Sequence, residues 1–227
     1  MGGRESLEHV REETQSLDRR GPGAFDFRHI KDASEPIECL AEWRALADLA
    51  ASAHIWSRTA MDEQDRKTAL RMIPYGIYVM TAVGEDNAIA GATVNWVTQT
   101  SFSPPLLALG VKADSGVYAA AKASGHFVLN ILGKNQQGTA FAFFKPAVLE
   151  DGKLSGEEIG WANNGAPILK SAPAAVECRV VDVVEIGDHH TVVAEVTAVH
   201  VHSHPEGRPD DAVLAMKDLG EKVFYGG

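Results

Sequence analysis

Two valine-rich runs, Ala174 to Ile186 and Thr191 to His202, follow one another with only Gly187-Asp188-His189-His190 between them. β-Branched residues in such numbers favour strands, and a short Gly/Asp connection between two of them is a hairpin turn, so this part of the chain is committed to a long antiparallel pair. The pattern has a counterpart upstream. Ile77 to Val83 is β-branched and apolar, Gly84-Glu85-Asp86-Asn87 is turn chemistry, and Ala88 to Thr100 reads as one further strand. Pro104-Pro105 imposes an extended entry into the apolar strand Leu106 to Val111, and Phe127 to Leu132 returns as another. The helices between them are short. One opens at Asp62 and is stopped by Pro74 and Gly76, one is capped by Ser115 and stopped by Gly125, and one spans Asn135 to Phe144 before Pro146. The Gly-rich, acidic segment Glu150 to Gly165 reads as an exposed excursion that carries Trp161. Strands paired locally, with short helices and no internal repeat, predict a mainly β (α+β) fold. A closed antiparallel barrel is favoured over a doubly wound parallel sheet.

Residues 1–60 read as a separate N-terminal extension, leaving 61–227 as the β-rich domain. Within the extension Gly21-Pro22-Gly23 sets off a charged lead, expected to be mobile. Ser34-Glu35-Pro36 then opens an amphipathic helix through Ile37, Leu40, Trp43, Ala47 and Ala50. Lys and Arg number 21 against 31 Asp and Glu, a net charge of −10, which argues against a phosphate-backbone partner such as nucleic acid. The two cysteines, Cys39 and Cys178, are far apart, so neither a disulfide framework nor a thiolate zinc site is supported and a reducing compartment is expected. No apolar run approaches the ~20 residues of a membrane span. The opening residues carry no secretory pattern, and the loose myristoylation match at Met1, Gly2 and Ser6 is followed by acids rather than the basic second signal that anchoring needs. The expectation is a cytoplasmic protein with no membrane partner.

Chemistry concentrates between Ala88 and Ser115. Alternation on a strand puts Ala90, Ala92, Val94 and Trp96 on one face and Ile89, Gly91, Thr93, Asn95 and Val97 on the other. The second face leads into the hydroxyl and amide cluster Thr98, Gln99, Thr100, Ser101 and Ser103, which suits a ligand with many acceptors. The first cation after Arg71 is Lys112, three residues before Ser115 at a helix start. Lysine, hydroxyl and helix dipole together favour an anion such as a phosphate; a solvated loop lysine beside a simple cap explains the same spacing equally well. Five of the nine histidines fall between His189 and His204. His200, His202 and His204 share a strand face, but no Cys, Asp or Glu spacing completes a metal site, and solvated imidazoles near Pro205 and Gly207 are expected instead. Gly-x-Gly-x-x-Gly, Walker, Gly-x-Ser-x-Gly and His-Glu-x-x-His sequences are absent, so a separate nicotinamide-binding domain and the commonest hydrolase sites lack support.

The stretch GATVNWVTQTSFSPPLLALGVKADSGVYAAAKASGHFVLNIL resembles the flavin reductase-like, FMN-binding split-barrel family. Gly187-Asp188-His189 followed by VVAEV is similar to that family's Gly-Asp-His strand motif, and Lys222-Val223-Phe224-Tyr225-Gly226-Gly227 is similar to its aromatic end. The resemblance runs from Ala69 to Gly227. It implies a split barrel of about six antiparallel strands that forms a homodimer, with FMN near the subunit interface. Thr93, Asn95, Trp96, Thr98 and Gln99 would line the isoalloxazine and ribityl chain, Lys112 and Ser115 would hold the phosphate, and His189 would stand where the nicotinamide stacks. The implied activity is hydride transfer from NADH or NADPH to FMN, with reduced flavin passed to a partner oxygenase, another redox protein or oxygen. Asn95-Trp96 replaces the two small hydroxyl residues of many members, a bulkier wall that favours FMN over FAD. His190 adds a second imidazole. Without the resemblance, His189 reads as a hairpin residue bonded to the backbone and Trp96 as a core tryptophan. An FMN-binding redox module without nicotinamide activity, and a metal-binding or purely structural barrel, are the alternative functions.

Overall fold

The computed structural model describes residues 61–226. The charged lead, the helix expected between Ile37 and Ala50, and Cys39 lie outside the described residues. Asp62 caps α1 (Glu63–Arg71), its carboxylate accepting from the backbone amides of Gln64 and Asp65 at 2.9 and 2.8 Å. The chain then alternates between strands and short helices. The strands are β1 (Tyr78–Val83), β2 (Ile89–Val94), β3 (Trp96–Phe102) and β4 (Pro105–Lys112), followed by helix α2 (Gly116–Ser124), β5 (His126–Ile131) and helix α3 (Gln137–Ala142). Four short strands, β6 (Leu149–Glu150), β7 (Lys153–Leu154), β8 (Glu157–Trp161) and β9 (Pro167–Leu169), precede the long pair β10 (Ala174–Val184) and β11 (His189–Val201).

Seven strands form one sheet in the order β2-β1-β5-β10-β11-β4-β3, each pair antiparallel. The expected mainly β architecture with short helices is what the chain adopts, with seven strands in the principal sheet rather than about six. Its two edge strands, β2 and β3, are consecutive in sequence and joined by Asn95 alone. The single strand expected over Ala88 to Thr100 is therefore two: β2 pairs with β1, β3 pairs with β4, and Asn95 is the junction.

Met80, Leu109, Val111, Phe127 and Val192 form a buried cluster between the sheet and α2. Ile77, Leu132, Phe143, Leu169 and Leu214 belong to a second buried cluster. Ser115 caps α2 by accepting from the Tyr118 amide, and Gly125 ends it at φ 72°, the left-handed region where a Cβ is costly. The segment from Glu150 to Gly165 is not merely an excursion. It supplies β7 and β8 to a second sheet, β6-β7-β8-β9, with Leu154 fully buried while Trp161 stays exposed. The β10–β11 turn falls earlier than expected, so His189 and His190 are the first residues of β11 and not turn residues.

Candidate functional site

A cavity of about 1090 Å³ opens between β2, the end of β4, the first turns of α2 and the segment after α3. Of the residues singled out in sequence, Thr93, Asn95, Lys112, Ser115 and His189 line it together. Thr98 and Gln99 do not. They are exposed on β3, Thr98 bonded to the Gln99 carbonyl and Gln99 to that of Ser101. Trp96 also lies outside the lining. Its ring packs 4.5 Å from His189 and 5.6 Å from Tyr225, over Gly110, where a Cβ would come within 2.9 Å of the indole.

Each lining residue is held by its local fold. The Thr93 hydroxyl donates to the Ala140 carbonyl at 2.7 Å and its amide to Phe143 at 3.1 Å, which staples α3 against β2. Asn95 is 5% exposed, and its Nδ2 has no hydrogen-bond partner among the described residues. A buried amide donor left unpaired costs about 1–3 kcal/mol, so an acceptor from a ligand is the missing half of that interaction. The Ser115 hydroxyl is a structural cap, donating to the Lys112 carbonyl at 2.7 Å, yet it sets the positive end of α2 on the cavity. Lys112 pairs with Asp114 at 2.9 Å; that hydrogen bond, reinforced by the carboxylate's charge, pushes the ammonium further up. Lys145 is a second ammonium in the lining.

His189 is bonded at both nitrogens, Nδ1 to Asp188 Oδ1 at 2.9 Å and Nε2 to the Tyr225 hydroxyl at 2.6 Å. Burial raises the Tyr225 phenol, Lys112 lowers it, and the charges of Asp188 and Asp114 raise it further, so it stays protonated at neutral pH. The bond to His189, and then its charge, holds Asp188 below the ordinary carboxylate range. Sequence reasoning missed Lys145 and left Tyr225 unassigned, because both come from segments with no spacing relation to β2. The Phe-Phe-Lys-Pro run that ends α3 was the one available signal for Lys145.

His200 and His202 are tied into the fold. His200 is not simply solvated, as expected, but bonds Glu177 at 2.7 Å, and His202 Nδ1 lies 2.9 Å from the Ala172 carbonyl. Among the described residues no group of three or more His, Cys, Asp or Glu side chains is placed to hold a metal. Cys178 is buried, which pushes its thiol up to about 12 and makes it a poor nucleophile. No described helix is long and apolar enough to cross a membrane.

The flavin reductase like domain model matches residues 70–218. A flavin reductase of Pseudomonas putida is 31% identical over 146 residues, covering 64% of this chain and 84% of the relative. An NADH:FMN oxidoreductase of Rhodococcus qingshengii is 31% identical over 144 residues, covering 63% and 72%. Two further relatives are spanned over only 58% and 24% of their lengths. Among solved structures, the styrene monooxygenase flavin reductase of Pseudomonas putida S12 superposes with a TM-score of 0.55 at 25% identity, covering 71% of this chain and 95% of that one. A domain match over most of the chain, on a fold shared with a solved flavin reductase, shows that the chain belongs to the flavin reductase like domain family.

Proposed function

We propose that residues 61–227 form a flavin reductase that passes a hydride from NADH or NADPH to FMN, the reduced flavin serving a partner oxygenase or another redox protein. The observation that carries this reading is the unpartnered Asn95 amide, buried in a cavity of about 1090 Å³. The residues present fit FMN. A flavin ring offers carbonyl and ring-nitrogen acceptors for the Asn95 donor, and its phosphate suits the positive end of α2 with Lys112 and Lys145 beside it. When bound, FMN supplies the hydride-accepting ring, and no acid/base pair is required of the protein for that transfer.

The chain's own residues orient and shield. Asn95 fixes the depth of the ring, Val94, Val111 and Val117 exclude water from one side, and His189, held by Asp188 and Tyr225, gives a rigid wall where a nicotinamide could stack. Homodimerisation and a cytoplasmic location belong to the same proposal. Thr98 and Gln99 lie outside their own protomer's cavity and would meet a flavin only from a second copy, so light scattering should give twice the chain mass.

The direct test is NADH oxidation by purified protein with and without added FMN. Acceleration well above the free-flavin background is expected. A protein that binds FMN without accelerating oxidation is the redox module instead, and one whose visible spectrum FMN titration cannot change ends both readings. The Lys112→Ala, Lys145→Ala double variant will lose about tenfold more affinity for FMN than for riboflavin, as removal of charge-assisted phosphate contacts requires. Equal losses for the two flavins would place the phosphate elsewhere.

A further inference from the structure

The turn that carries Lys112 also carries its counter-ion. The Ser115 amide donates to the Lys112 carbonyl at 3.1 Å, closing a turn with Asp114 as its third residue, and the Lys112 ammonium meets both Asp114 oxygens, at 2.9 and 3.1 Å. The two side chains are 57% and 74% exposed, so the pair adds little to the fold. Asparagine serves such a turn as well as aspartate does. The charge of Asp114 acts elsewhere. It stands one residue ahead of the Ser115 cap, where it occupies the positive end of α2, so the lysine and the helix dipole, the two features that favour a phosphate, are both engaged by one carboxylate. The Ser115 hydroxyl is committed as well, accepting from the Tyr118 amide at 3.3 Å and donating to the Lys112 carbonyl at 2.7 Å. Lys112 and Lys145 share the cavity lining with Asp114 and Glu85, two charges of each sign, so an incoming phosphate meets no excess of positive charge among the described residues.

We propose that Asp114 is a specificity-determining residue of the flavin site, which competes with the flavin phosphate for Lys112 and so limits the preference for FMN over riboflavin; the inference rests on the flavin reductase reading. A phosphate monoester carries a charge of about −1.5 to −2 at neutral pH. It takes the Lys112 ammonium only by returning Asp114 to water, and it then lies beside that carboxylate at the start of α2. The ring contacts of Asn95 are common to both flavins. The cost of Asp114 therefore falls on FMN alone, and it speeds the departure of a phosphorylated flavin that is to be handed on.

Fluorescence titration of the purified full-length protein with FMN and with riboflavin, at one ionic strength, reads this cost. Asp114→Asn should bind FMN about tenfold more tightly and release it about tenfold more slowly, with riboflavin affinity unchanged, as removal of one like charge beside the phosphate requires. Flavin-free Asp114→Asn should melt at the parent's temperature or slightly below it, because α2 loses a favourable carboxylate, while FMN should raise its melting temperature further than it raises the parent's. A residue that served only the turn would move both in one direction. With Lys112→Ala already in place, Asp114→Asn should gain only about twofold for FMN, since the ammonium they compete for is gone. A full tenfold gain in that background, an FMN affinity that Asp114→Asn leaves unchanged, or an equal gain for riboflavin would each overturn the assignment. A parent protein that binds neither flavin would instead remove the flavin reductase reading itself, an outcome read before any variant is made.

Discussion

Replacing Glu177 with alanine will lower the stability of the domain by about 3–5 kcal/mol, the largest loss expected from any single substitution away from the apolar core. Glu177 is 1% exposed on β10, and both of its carboxylate oxygens accept hydrogen bonds. Oε1 takes the Asn163 backbone and side-chain amides at 3.1 and 2.9 Å and the His200 ring at 2.7 Å, while Oε2 takes the Asn164 amide at 3.1 Å. Removing it leaves four donors, on Asn163, Asn164 and His200, without their carboxylate and releases the loop between β8 and β9. His200→Ala will cost less, about 1 kcal/mol, because the amides still satisfy Glu177. Chemical denaturation of the two variants measures both figures, and equal losses would show that the imidazole, not the amides, holds the carboxylate. The pH dependence has a fixed sign. Burial pushes the Glu177 carboxyl up, but the bonds from His200, Asn163 and Asn164 outweigh it, and the group titrates below the ordinary value of 4.5. Its contribution is complete above that value and is lost as pH falls through the lower folded one. Acid unfolding of Glu177→Gln will therefore show a shallower dependence on pH than the parent.

Asn95→Leu will separate stability from function. Leucine has a similar volume and removes the unpaired donor, so the flavin-free protein should melt at the same temperature or higher, whereas FMN affinity should fall by about 1–3 kcal/mol, roughly five- to 150-fold. Thermal melts with and without FMN read both effects in one experiment. A lower melting temperature with unchanged FMN affinity would make Asn95 a packing residue and move the ligand elsewhere in the cavity.

What the sequence displayed was local. Ser115 and Gly125 bound α2 because caps are one-residue signals, and the valine runs announced β10 and β11 because they are long. The break at Asn95 left no trace in the period-two pattern, since a change of pairing partner from β1 to β4 is a tertiary event that leaves the alternation on either side intact. β6 and β7 have two residues each, too short for any periodicity. Five residues singled out by spacing and resemblance, Thr93, Asn95, Lys112, Ser115 and His189, converge on one cavity, while Thr98 and Gln99 do not, because after Asn95 the chain leaves β1 to pair with β4 and both side chains are exposed there. Glu177 was not singled out in sequence and His200 read as a solvated imidazole; only the pairing of β10 with β11 and the return of the Asn163–Asn164 loop make them partners.

The one-residue link between β2 and β3 gives the molecule a point with no slack in its length. Side chains alternate along a strand, so an extra residue between Val94 and Trp96 would turn β3 over and exchange its inner and outer sets, carrying the indole away from Gly110. Insertions at Ile186–Gly187 between β10 and β11 fall in an exposed turn and turn no strand over. Tolerance to changes in chain length should thus differ most sharply between these two places, and the intolerant one lies beside the cavity.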